Sequence, residues 1–327
     1  MKQLLRIDNY DLSLRMNGEN IRVISSADLF VSEGEIVGLI GESGCGKSML
    51  WKSLLGLADP QKWICSGELR LMGNPMDLSD RAALTEARGN QVSVILQDPM
   101  NAFDQLFTIE RHFIETARAH VQWSKGEILK KATSLMRRLY IREPEKVLKM
   151  YPFQCSGGML QRIMIALALM LDPPLLIADE PTTSVDVTVQ REIVAMLKEV
   201  NRDRNTGILY ISHDLKIIED LADRVYVMYA GYLVESFPVS ALQERKVFHP
   251  YTVKLLQSRP SYTKAYLPVL EGNPPSLLDR QAGCPFAPRC PKAVDACRSY
   301  DMHVYEIGNQ HIVRCLRWED ENEPAQN

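Results

Sequence analysis

No apolar run in the 327 residues approaches the roughly 18 needed to cross a bilayer as a helix. The N-terminus, Met1-Lys-Gln-Leu-Leu-Arg-Ile-Asp8, carries charge too early for a secretory signal. There is no basic excess either: 38 Lys and Arg stand against 41 Asp and Glu, so a net charge of −3 gives no reason to expect nucleic acid. No internal repeat and no low-complexity run is present. These absences make the chain an expected cytosolic protein, able to dock on a membrane protein. Seven cysteines in a reducing compartment do not predict a disulfide framework, and four of them crowd into the last 44 residues. What remains is an ordinary globular composition, 46% hydrophobic and 24% charged. Its length suits one large α/β domain with a small appendage, or two medium domains.

The richest stretch is Gly41-Glu42-Ser43-Gly44-Cys45-Gly46-Lys47-Ser48. It follows Glu35-Ile-Val-Gly-Leu-Ile40, a buried-strand run, and precedes Met49-Leu-Trp-Lys-Ser-Leu-Leu55, apolar at helical spacing. Strand, glycine-rich loop and helix start in that order make Gly-x4-Gly-Lys-Ser a P-loop, where a glycine turn alone would carry little. Gly44 and Gly46 let successive backbone N–H groups approach phosphate oxygens at a helix N-terminus. Lys47 would reach the β- and γ-phosphates and Ser48 would ligate Mg²⁺. The residues thus predict nucleoside triphosphate binding. No Asn-Lys-x-Asp sequence, the guanine-reading motif of GTPases, accompanies it.

Strands are expected at residues 4–16, 21–31, 67–72 and 91–96, then at Leu175–Ala178, Ile208–Ile211 and Val225–Met228. Between about 105 and 171 strand signals vanish and helical periodicity takes over. The expected fold is therefore an α/β P-loop NTPase core with a mostly parallel, doubly covered sheet, interrupted by a helical subdomain at about 98–171. Gly272-Asn-Pro-Pro-Ser276 reads as a linker, and the expected domains are 1–259 and a cysteine-rich extension at 260–327.

Leu175-Leu-Ile-Ala-Asp179-Glu180 is a buried strand ending in two carboxylates. Asp179 is a candidate Mg²⁺ holder and Glu180 a candidate general base. Alone, such a pair also fits a solvated helix cap; a P-loop in the same chain favours chemistry. Ser156-Gly157-Gly158 opens a second anion-binding helix start before an apolar helix. Two such starts in one chain suggest a dimer in which each site borrows one from its partner.

In order and spacing, Gly41–Ser48, Gln97, Ser156-Gly-Gly-Met159, Leu175–Glu180, Ser184-Val-Asp186 and His213 resemble the six diagnostic motifs of an ABC transporter nucleotide-binding subunit. Tyr151–Ile165, Asp186-Val-Thr-Val-Gln190 and His249-Pro-Tyr-Thr252 resemble the D-type ATPases of oligopeptide, dipeptide and nickel importers. The resemblance implies ATP and Mg²⁺ as ligands, with Gly41 to Met49, Asp179, Ser156 to Gly158 and Asp186 around the nucleotide. It implies Ser48, Gln97 and Asp179 at Mg²⁺, and Glu180, Gln97 and His213 in hydrolysis, His213 as switch histidine. Implied partners are an F-type ATPase subunit or a second copy, two permease subunits and an extracytoplasmic binding protein. The implied location is peripheral, on the cytoplasmic face of the cell membrane. Peptide is the favoured cargo; nickel or chelated metal is the alternative, and a soluble ABC ATPase unlinked to transport the rival of another class. The adenine-stacking residue is open: Leu14 stands near its place and Tyr10 is the nearest aromatic.

Cys284, Cys290, Cys297 and Cys315 are separated by five, six and seventeen residues, looser than paired zinc knuckles. Four thiolates suit a [4Fe–4S] cluster or Zn²⁺. The segment resembles the oligopeptide-family extension, whose cysteines can ligate [4Fe–4S]; unligated cysteines are the third reading. A segment so poor in apolar residues is expected to need metal to fold.

Overall fold

The computed structural model describes residues 2–183, 185–258, 272–276, 282–308 and 310–321. The chain divides into two compact units, each drawn from three separate segments. The first takes Met1–Leu5, Phe30–Ile36 and Arg70–Ile211; the second takes Arg6–Leu29, Val37–Leu69 and Ser212–Asn327.

In chain order, strands β1 (Gln3–Met16) and β2 (Glu19–Ser32) are joined at Asn17-Gly18, both at positive φ as a tight hairpin turn requires. Strand β3 (Ile36–Ile40) leads to helix α1 (Lys47–Leu54), and β4 (Trp63–Leu71), β5 (Asn74–Met76), α2 (Arg81–Asn90) and β6 (Val92–Ile95) follow. A helical stretch comes next: α3 (Pro99–Ala102), α4 (Ile109–Arg118), α5 (Lys125–Arg138), α6 (Pro144–Val147) and α7 (Gly157–Ala168). Strands and helices then alternate through β7 (Leu175–Asp179), α8 (Val187–Arg204), β8 (Gly207–Ile211), α9 (Leu215–Leu221) and β9 (Arg224–Tyr229). The last described elements are β10 (Tyr232–Pro238), α10 (Ser240–Glu244), α11 (Pro250–Gln257), β11 (Tyr305–Glu306) and β12 (Ile312–Val313), besides short 3₁₀ turns.

In the first unit β6, β7 and β8 run parallel, with Ile95 opposite Ala178 and Asp179 opposite Ile211. Every residue of β7 and β8 is buried, the reason both read as unbroken apolar runs. Helix α4 buries Ile109, Phe113 and Ala117, four positions apart on one face, and packs on α5. Helix α5 starts at a capping box, Ser124 and Glu127 each bonding the other's backbone N–H. Helix α7 packs on α3, α5 and β6, which seats its N-terminus beside the helical stretch.

In the second unit β3 pairs with β9 in parallel, Ile40 opposite Val227. Beyond β9 the sheet is antiparallel: β9 with β10, β10 with β12, and β12 with β11. The expected parallel pairing thus holds within each unit, for β6, β7 and β8 and for β3 and β9, while β10 and the two tail strands had not been foreseen. Within β3, a Cβ at Gly38 would stand 3.0 Å from two carbons of Ile218, so glycine there lets α9 lie close on the strand.

Candidate nucleotide site

The glycine-rich loop belongs wholly to the second unit. Strand β3 delivers Gly41, and Gly46 caps α1 in left-handed backbone at φ 113°, with Gly44 also left-handed at φ 80°. These angles are cheap only for glycine. Lys47 is 6% exposed, and its Nζ donates to the carbonyls of Gly41 (2.8 Å) and Glu42 (3.0 Å). Burial raises the Cys45 thiol, with nearby Lys47 pulling the other way. Ser43 and Gly44 are exposed, and Ser48 and Met49 half-buried. Glu42 is fastened from outside the loop: its N–H donates to the Tyr251 hydroxyl (2.9 Å), and its carboxylate receives Arg289. In the same unit His213 is exposed between β8 and α9. Next to it the Asp214 N–H donates to Ser212 Oγ (2.9 Å), and Asp214 caps α9.

The carboxylates belong to the first unit. Asp179 closes β7 at 3% exposure, and Glu180 follows in left-handed backbone at φ 47°. A non-glycine residue held there stores strain of about 1–3 kcal/mol, which surrounding contacts must offset. They do so visibly. The Glu180 N–H donates to the Ile211 carbonyl (2.9 Å), and its Oε2 accepts from Gln97 Nε2 (3.0 Å) and Thr183 Oγ1 (3.1 Å). Gln97, exposed just past β6, is brought onto Glu180 across 83 residues of sequence because β6 and β7 are neighbours in register. Ser156 caps α7, its Oγ accepting the Met159 N–H (3.3 Å). A Cβ on Gly157 or Gly158 would meet nothing within 4 Å, so no neighbour among the described residues requires glycine at either place. Asp186 caps α8, accepting from the N–H groups of Thr188 (2.9 Å) and Val189 (3.0 Å). Ser184 lies outside the described residues.

Residues 24–183 match the ABC transporter family, and residues 234–297 match the oligopeptide/dipeptide transporter C-terminal region. A probable peptide ABC transporter ATP-binding protein of Sinorhizobium fredii is 39% identical, covering 96% of this chain and 95% of its own. The oligopeptide transport ATP-binding protein AppD of Bacillus subtilis is 37% identical over 98% of both. The chain belongs to the ABC transporter ATP-binding family. A solved ATP-binding cassette dimer with ADP and Pi has the same fold, with a TM-score of 0.65 at 24% identity over 72% of this chain and 98% of that one. An ATP-binding subunit of an ABC transporter gives 0.61 at 26% identity, over 74% and 93%.

Against the expected cassette motifs, two points change. Tyr10 is fully buried and its hydroxyl donates to Ser53 Oγ (2.6 Å), so it cannot stack on adenine; its parity on β1 turns it into the core. Leu14 is half-buried.

The second point concerns the tail, which is joined to the second unit through its own strands and side chains. Strand β12 extends the sheet of the second unit through β10. Arg314 donates to the Ser26 carbonyl (2.6 Å) and to Asp28 (3.0 Å), and His311 pairs with buried Glu235 (2.9 Å). Phe286 and Val313 are fully buried. The tail borrows the core's apolar surface, which its own composition could not reveal.

Cys284, Cys290, Cys297 and Cys315 line one pocket with His249, Phe286 and Tyr300. Burial pushes the Cys284 thiol up to about 11 and Cys315 up to about 12, and the other thiols add to both. His249 is driven down to about 3 by burial, and its Nδ1 accepts the Tyr251 N–H (3.1 Å), so the ring is neutral. Among the described residues, no three His, Cys, Asp or Glu side chains are gathered as a metal-holding group.

Sequence spacing missed Thr183, Tyr251 and Arg289. Thr183 follows the acidic pair closely enough to have been suspected; Tyr251 lies inside the His249–Thr252 stretch, which carried a resemblance but no role, and nothing local marks Arg289.

Proposed function

We propose that this chain is the ATP-hydrolysing subunit of an ABC importer that takes up oligopeptides or dipeptides. The observation that carries the reading is the Glu180 carboxylate, held in strained backbone by Gln97 and Thr183 at the end of β7. A carboxylate so oriented is equipped to polarise a water against a phosphate. Lys47, Ser48 and the N–H groups of Gly41 to Met49 hold the phosphates; Asp179 and Ser48 hold Mg²⁺, with Gln97 as its sensor and His213 facing the γ-phosphate. Peptide cargo is supported by the C-terminal region match and by relatives named for peptides.

Ser156, Gly157, Gly158 and Asp186 serve the nucleotide of a partner cassette. The open space over Gly157 and Gly158 supports this, since glycines that no described neighbour requires suit a surface approached from outside. The partner is a second copy or an F-type ATPase subunit. No described helix is long and apolar enough to cross a membrane. In this reading the chain attaches through two permease subunits on the cytoplasmic face, with an extracytoplasmic binding protein supplying cargo. A [4Fe–4S] cluster, or Zn²⁺ in its stead, would have to draw the four cysteines of this pocket closer together, since among the described residues they do not form a metal-holding group. A bound cation would reverse the rise in the thiols' pKa that burial causes. Iron and zinc content after anaerobic purification decides between them, and metal-free protein would dismiss both.

In the assembled transporter, Glu180→Gln should keep ATP binding and lose about 10²–10⁴-fold in turnover, the worth of a positioned base. Lys47→Ala should weaken nucleotide binding itself. Near-normal turnover in Glu180→Gln would remove Glu180 from its role.

A further inference from the structure

The phosphate loop is gripped by a residue 247 positions away in sequence. Arg289 lies in the cysteine-bearing tail, and its guanidinium meets the Glu42 carboxylate as a two-pronged fork, Nη1 to Oε2 at 2.8 Å and Nη2 to Oε1 at 3.1 Å. Its side chain is 6% exposed and Glu42 22%, so the pair is sheltered from screening. Arg289 is itself fixed: Nη1 also donates to the Tyr229 hydroxyl (3.2 Å), and Lys254 Nζ donates to its carbonyl (3.3 Å). The hydrogen bond to Glu42 raises the guanidinium's pKa further still. Beneath them Tyr229, Tyr251 and Phe286 form an aromatic floor with centroids 4.6–5.5 Å apart.

Glu42 is thereby held at three points: N–H by Tyr251, carbonyl by Lys47 and carboxylate by Arg289. A carboxylate in a loop built to receive polyphosphate is an electrostatic liability, because like charges repel strongly where solvent is thin. We propose that Arg289 is a positioning residue of the nucleotide site, neutralising Glu42 and fixing the backbone of the phosphate loop. The inference rests on the nucleotide reading above. It makes the C-terminal tail a working part of the ATP site, although the tail carries none of the cassette motifs.

The test is equilibrium binding of a fluorescent ATP analogue with Mg²⁺ to the full chain, at low and moderate salt. Arg289→Gln is expected to weaken binding about tenfold, within the usual range for coupled sites. The loss should shrink as salt rises, because Glu42 is left charged. The double variant Arg289→Gln with Glu42→Gln should recover most of that loss, which a merely structural role would not do. Thermal melts and circular dichroism report whether each variant is folded. If Arg289→Gln does not fold, Arg289→Lys, which keeps the charge but cannot span both oxygens, is compared instead, with a smaller loss expected. Folded Arg289→Gln of unchanged affinity, a double variant no better than the single, or unchanged affinity in Arg289→Lys when it is the stand-in would each overturn the proposal. Failure of the nucleotide reading looks different: the unmodified chain would then not bind the analogue, and Lys47→Ala would change nothing.

Discussion

Gln161 sits inside helix α7 at 1% exposure, and both its Oε1 and its Nε2 are buried without a hydrogen-bond partner among the described residues. An amide buried in that condition has given up its hydrogen bonds to water and received none in return. Leaving a donor or acceptor so placed costs about 1–3 kcal/mol. Methionine has nearly the same length and volume and is an equally good helix former, so Gln161→Met removes the penalty without opening a cavity. The expected outcome is a stability gain of about 1–3 kcal/mol. Read as heat resistance, each kcal/mol corresponds to roughly 2–4 °C in a chain of this class. Urea titration followed by circular dichroism should move the midpoint upward at an unchanged slope, the mark of altered stability rather than altered compactness. A midpoint displaced downward by a similar amount would refute the reasoning, because it would mean the amide was satisfied and its loss uncompensated.

Tyr10→Phe should cost about 0.5–1.5 kcal/mol through the lost bond to Ser53 yet leave ATP affinity unchanged; denaturant titration and nucleotide binding on the same sample check both halves. Gly207→Ala would place a Cβ 2.8 Å from the Ser32 carbonyl and from a Leu4 methyl, and should destabilise by about 1–3 kcal/mol in a thermal melt. Ser124→Ala removes the capping box of α5 and should cost about 1 kcal/mol, measurable as faster amide exchange in the first turn of that helix.

Much of the site was legible because its chemistry is written locally. The P-loop needs adjacent glycines and a lysine at a helix start, and Asp179-Glu180 needs only a strand to end on; both signals survive in a one-dimensional reading. Buried strands such as β7 and β8 were legible because burial on both faces leaves unbroken apolar runs. Strand β10 escaped because Glu235 and Ser236 interrupt its apolar run, though both are buried; the Glu235 carboxylate accepts from the N–H groups of Phe248 (2.7 Å) and His249 (3.1 Å). The adenine-stacking residue stayed open for a related reason: parity shows that Tyr10 shares a face of β1 with its neighbours, not which face turns inward. Arg289 was beyond reach, since a bond spanning 247 residues has no local signature.

The interleaving of segments in the two units bears on how the chain can be made. β3 emerges from the ribosome early, yet the strand it pairs with in its own unit is β9, and the tyrosine that holds Glu42 lies 209 residues downstream. At roughly 5–20 residues per second, that interval lasts on the order of ten to forty seconds. For most of it a fully apolar strand has no β9 to pair with, the circumstance in which nascent sheets aggregate. Neither unit can finish from a contiguous stretch, because each takes segments from both sides of the other. Each unit therefore waits for its last segment, and a ribosome that stalls before residue 224 would leave a complete P-loop sequence in a chain that lacks β9.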